Sequence, residues 1–103
     1  MKDHRVLSPR QEKAVEDELF TAILSLQDLR ECRAFFDDLC TPAELQAMKD
    51  RWNVVEMLGQ GLTYRQIHDS TGVSVTTIGR VARCLTAGAG GYAGVLARLQ
   101  NND

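Results

Sequence analysis

The 103-residue chain is 44% apolar and 25% charged, which fits one folded domain and excludes wholesale disorder. A formal net charge of −2 excludes a globally basic nucleic-acid coat, and no apolar run approaches the ~20 residues of a membrane span. Met1-Lys2-Asp3-His4-Arg5 leads into charged sequence with no apolar signal-peptide core, so a cytoplasmic protein with no membrane partner is expected. The charge is unevenly spread. Residues 1–40 hold 6 Lys/Arg against 9 Asp/Glu, residues 41–62 hold 2 against 3, and residues 63–103 hold 4 against 2. Only the C-terminal third is net positive, which places a binding surface for an anionic partner there.

Both prolines follow a hydroxyl residue. Ser8-Pro9 and Thr41-Pro42 each read as a helix N-cap followed by proline at the first helical position, where its missing N–H costs nothing. Glu44 completes a capping box with Thr41. From Pro9 to about Leu26 the residues Val15, Leu19, Ala22, Ile23 and Leu26 form a helical stripe. A second helix is expected from Asp28, carrying Leu29, Cys32, Phe35, Phe36 and Leu39. A third runs from Pro42 to about Leu58 with Leu45, Met48, Trp52, Val55 and Leu58, and Gly59 and Gly61 are expected to stop it. No segment alternates with period two, so the fold class is all-α. The stripes read first as core. The first two helices are long and apolar for so short a chain, which makes a helical homodimer a reasonable expectation.

Residues 63–85 carry the functional signal. Thr63 with Gln66 reads as a capping box opening a short helix that ends at Thr71-Gly72, and Ser74 caps a new helix starting at Val75. Two helices joined by Gly72-Val73-Ser74 cross steeply, as in a helix-turn-helix, with Ile67, Val73, Ile78 and Val81 converging inside the corner. Glycine at 72 suits a turn that needs φ > 0. The second helix then offers Val75, Thr76, Thr77 and Gly79, small enough to approach base edges in the major groove. Arg65, Arg80 and Arg83 supply positive charge, and Asp69 is the one acid in the unit. His68 reads as a solvated or phosphate-edge residue, and Tyr64 as partly buried with its hydroxyl in water.

The other chemistry-bearing residues form no site. Cys32, Cys40 and Cys84 make no CxxC pair, and they read as small apolar thiols. With His4 and His68 far apart, no metal site is expected. No nucleophile–base arrangement or phosphate loop points to an enzyme, and no catalytic residue is assigned. Gly88-Ala89-Gly90-Gly91 follows a helix rather than a strand, and reads as a flexible hinge before a final helix at 92–100 packed through Val95, Leu96 and Leu99.

The stretch Leu39–Leu85 resembles the Trp repressor superfamily, and more narrowly the YerC/YecD-type Trp-repressor-like proteins of bacteria. The resemblance rests on Leu39-Cys40-Thr41-Pro42-Ala43-Glu44-Leu45, Arg51-Trp52, Gly61-Leu62-Thr63-Tyr64-Arg65-Gln66-Ile67 and Thr71-Gly72-Val73-Ser74-Val75-Thr76-Thr77-Ile78, with a YerC-like ending at Arg83–Tyr92. It implies a single Trp-repressor-like domain over 1–103: an intertwined all-α homodimer with dimerisation helices at 9–40, a core helix at 41–60, the helix-turn-helix at 63–85 and a C-terminal helix at 92–100. It also implies that double-stranded DNA is the partner and that the protein is a sequence-specific transcriptional regulator acting by repression. By position the family's DNA-contacting residues fall on Arg65, Val75, Thr76, Thr77, Gly79 and Arg83; Ser74, as the cap of the second helix, and Arg80, as a nearby positive charge, complete the expected DNA-binding set.

The family's corepressor pocket maps to Thr41, Arg51 and Arg80, which are retained, and to Val81 and Cys84, which depart from a glycine and a serine. Val81 narrows the space an indole needs, and Cys84 bonds more weakly than serine. No cofactor is therefore expected, with tryptophan or another small-molecule corepressor as the alternative. A module of the same fold that binds proteins instead of DNA is the competing function, motivated by the acidic balance of the whole chain.

Overall fold

A computed structural model describes residues 6–101. Six helices follow one another: α1 (Pro9–Leu24), α2 (Leu29–Leu39), α3 (Pro42–Gly59), α4 (Tyr64–Thr71), α5 (Val75–Ala87) and α6 (Gly91–Gln100). There is no strand among the described residues. The chain folds as two compact units that part between Cys40 and Thr41.

Side chains fix nearly every helix start. Ser8 Oγ accepts from Gln11 N, and the Gln11 amide oxygen accepts in return from Ser8 N at 2.8 Å. The same reciprocal box joins Thr41 to Glu44 and Thr63 to Gln66, and Asp28 caps α2 through Glu31 N at 2.8 Å. Each cap satisfies backbone N–H groups that the helix leaves open. α1 is shorter than its apolar stripe: it ends at Leu24, where the Ser25 backbone and hydroxyl both turn onto Ala22 O. On its exposed face Lys13 donates to Asp17 at 2.9 Å, and this hydrogen bond, then the Asp17 charge, raises the Lys13 pKa.

In the first unit neither α1 nor α2 buries a residue. Val15, Phe20, Leu24, Leu29 and Leu39 are all exposed.

The core lies in the second unit. Val54 and Val55 of α3, Ile67 of α4, Val73 of the turn, and Ile78 and Val81 of α5 are buried together, with Trp52, Leu58, Leu62, Leu85, Tyr92 and Leu96 packed around them. Gly59 does not stop α3. It is the last helical residue, and its bare Cα lets Leu96 of α6 pack against it, since an added Cβ would meet Leu96 Cδ2 at 2.9 Å. α6 holds to α3 and α5 through Leu96 and Tyr92, while Val95 and Leu99 are half exposed.

The glycine run before α6 is more specified than a flexible hinge. Gly88 N bonds Cys84 O at 3.0 Å, and a Cβ on Gly88 would run into the Cys84 backbone. Gly88→Ala is expected to destabilise the second unit by about 1–3 kcal/mol, as overpacking does. Thermal unfolding would show it as a lowered midpoint, and an unchanged midpoint would refute the close approach.

Candidate nucleic-acid interface

The α4–α5 pair is held by a short chain of hydrogen bonds. α4 ends at Gly72, whose φ of 77° is the left-handed conformation that glycine adopts without a Cβ clash. Thr71 Oγ1 donates to Ile67 O at 2.7 Å and accepts from Val73 N at 3.1 Å. His68 Nδ1 lies 2.7 Å from Val73 O. A carbonyl only accepts, so Nδ1 carries the proton and Nε2 is left free. Ser74 then caps α5. Its Oγ accepts from Thr77 N at 3.1 Å and donates to Thr77 Oγ1 at 3.0 Å.

α5 carries two stripes. Ile78, Val81 and Leu85 turn inward to the core. Thr76, Gly79, Arg80 and Arg83, at i, i+3, i+4 and i+7, share another face. Thr76, Arg80 and Arg83 are exposed, and Gly79 is half-buried. Val75, at the first position of α5, is 54% exposed. No Asp or Glu occurs from Ser70 to Asn101. The α5 face is thus positive without an internal counter-charge.

The expected binding residues fall into distinct roles. Arg65 of α4 is fully exposed and only loosely paired with Asp69, at 4.0 Å, a separation at which a solvated pair contributes little. Arg80 and Arg83 have no ion-pair partner among the described residues, and the Thr76 hydroxyl has no hydrogen-bond partner there. Ser74 spends its hydroxyl proton on Thr77, so its part is to cap the helix. Thr77 Oγ1 keeps a proton that can be donated outward.

The residues aligned with a corepressor pocket are differently disposed. Thr41 is an exposed cap, Arg51 and Arg80 are exposed, and Val81 is 2% exposed in the core. Cys84 instead lines an open apolar cavity of about 570 Å³ with Trp52, Ala89, Gly91, Tyr92 and Val95. Trp52 and Tyr92 stand tilted there, with ring centroids 6.4 Å apart. Sequence reasoning missed this cavity, because its wall forms only when the segment after Gly88 folds back along α3. It also missed Tyr64 as a neighbour of Gly79. Among the described residues no cluster of three His, Cys, Asp or Glu could hold a metal ion, and no helix is long and apolar enough to cross a membrane.

The comparisons with known proteins agree on one family for this all-α chain. The Trp repressor protein family model matches residues 15–100, and the chain belongs to that family. It is 48% identical over 87 residues to the uncharacterized protein YerC of Bacillus subtilis (strain 168), covering 84% of each chain. Among solved structures it resembles a TrpR-like protein from Eubacterium eligens ATCC 27750, with a TM-score of 0.79, 46% identity and 85% and 90% of the two chains covered. It also resembles a candidate Trp repressor from Staphylococcus aureus, with a TM-score of 0.81, 45% identity and 90% and 96% covered.

Proposed function

We propose that the protein is a sequence-specific DNA-binding transcriptional regulator, a repressor that occludes its promoter as a homodimer in the bacterial cytoplasm. In this reading α4 and α5 are a helix-turn-helix and α5 enters the major groove. The observation that carries it is the outward face of α5, where Thr76, Gly79, Arg80 and Arg83 stand together with no carboxylate on the helix. Membership of the Trp repressor family supports it.

Backbone phosphates supply most of the affinity, through Arg65, Arg80, Arg83 and the capped start of α5. Base edges supply the specificity, through Val75, Thr76 and Thr77: methyl groups meet thymine, and hydroxyls donate or accept. Two such heads read half-sites about 34–36 Å apart. The homodimer is supported by α1 and α2, which leave large apolar side chains exposed in one chain.

The test is a gel-shift titration against a duplex selected from random DNA. Arg65→Ala and Thr76→Ala are each expected to weaken binding by about 1–3 kcal/mol, and affinity is expected to fall steeply as salt rises. Wild-type affinity in both variants, or binding indifferent to salt, would overturn the assignment. We also propose that DNA binding needs no corepressor, because Val81 is packed into the core. Adding tryptophan is expected to leave the titration unchanged, and a tightened curve would restore a pocket on Thr41, Arg51 and Arg80.

A further inference from the structure

We propose that Tyr64, Gly79 and Arg83 form a seat for one backbone phosphate of duplex DNA, which makes Tyr64 a DNA-contacting residue. The inference rests on the DNA-binding reading above. The position where a Cβ of Gly79 would stand is 3.7 Å from Arg83 Nη1 and 4.0 Å from Tyr64 Cε2. A guanidinium from α5 and a phenol from the first residue of α4 therefore converge over the same bare stretch of α5 backbone. Tyr64 is 43% exposed. Neither its hydroxyl nor the Arg83 guanidinium has a hydrogen-bond or ion-pair partner among the described residues.

Packing alone does not account for this glycine. Both distances are ordinary van der Waals contacts, so an alanine methyl would fit, and alanine is the far better helix former. A bare Cα at this point leaves room for another group to come close to the α5 backbone between the two donors. The donors on either side define what that is. A guanidinium presents N–H groups and a positive charge, and a phenol presents one O–H, so together they suit a tetrahedral oxyanion. Arg80 and Thr76 lie on the same face of α5, which continues the donor surface along a DNA backbone.

The test uses the full chain and a duplex recovered by selection from random DNA, with affinity read by fluorescence anisotropy at several salt concentrations and thermal unfolding in parallel. Tyr64→Phe removes the hydroxyl and keeps the ring. It is expected to weaken binding roughly ten- to a hundredfold, as loss of one hydrogen bond to a charged group does, with an unchanged melting midpoint. Gly79→Ala is expected to weaken binding while the midpoint holds or rises. A scan of single methylphosphonates should find one phosphate whose neutralisation weakens the wild type by clearly more than it weakens Tyr64→Phe, the remainder being the Arg83 contact; equal losses in the two would overturn the seat. Wild-type affinity in Tyr64→Phe alongside a weakened Arg83→Ala would overturn the seat and leave the DNA-binding reading standing. Failure of the wild type to bind any duplex at low salt would overturn both.

Discussion

Replacing Ile78 by alanine is expected to lower the unfolding free energy by about 2–5 kcal/mol, the range for emptying a packed aliphatic site. Ile78 is fully buried, at 0% exposure, between the helix that precedes it and α3. It sits four residues into α5, directly behind Thr76 and Gly79. The lost methyls belong to the corner itself, where Ile67 and Val73 come from α4 and the turn, and a short turn between capped helices has little room to collapse into the void. Chemical denaturation at fixed protein concentration measures the change. DNA affinity should fall with it, because the angle at which α5 stands depends on that contact. A loss below about 0.5 kcal/mol, the size of an ordinary surface change, would show that the corner is held by its hydrogen bonds and not by packing.

Phe20→Asp is expected to convert a dimer into monomers and to abolish tight DNA binding. In one chain Phe20 is 51% exposed, so the substitution costs little in the isolated helix. In a symmetric dimer the same change is made twice. Each copy forfeits about 1.5–3 kcal/mol of aromatic burial and brings a carboxylate into an apolar contact. Light scattering after size-exclusion chromatography should report twice the chain mass for the wild type and a single chain mass for the variant. A wild type of single chain mass, or a variant that stays paired, would show that α1 and α2 are covered by something other than a second copy.

Much of the fold is written in local rules. Ser8-Pro9, Thr41-Pro42 and Thr63 announce three helix starts, and each is found with its returning side chain in place. The corner residues Ile67, Val73, Ile78 and Val81 are legible because their spacing about Gly72 leaves them one common side, and all four are buried. Reading fails where a residue's meaning depends on a partner far along the chain. Gly59 looks like a stop signal, yet it serves Leu96. The run from Gly88 looks flexible, although its first residue is fixed by the Cys84 backbone. Of the expected packing residues Val95, Leu96 and Leu99, Leu96 reaches the core, while Tyr92 takes the part expected of the other two.

The interface divides in the same way. Its composition is a property of the string: small residues after Ser74, three arginines nearby, no acid beyond Asp69 before Asn101. The sequence by itself determined that the chain is helical, where its caps and corner lie, and which stretch is positive, because hydrogen bonds at helix ends and apolar spacing act over three or four residues. Only the tertiary structure decided that Gly59 meets Leu96, that Cys84 lines a cavity with Trp52 and Tyr92, and that Tyr64 and Arg83 meet over Gly79. Those outcomes depend on how two helices approach one another, and that approach is set by packing among side chains that the linear order keeps apart.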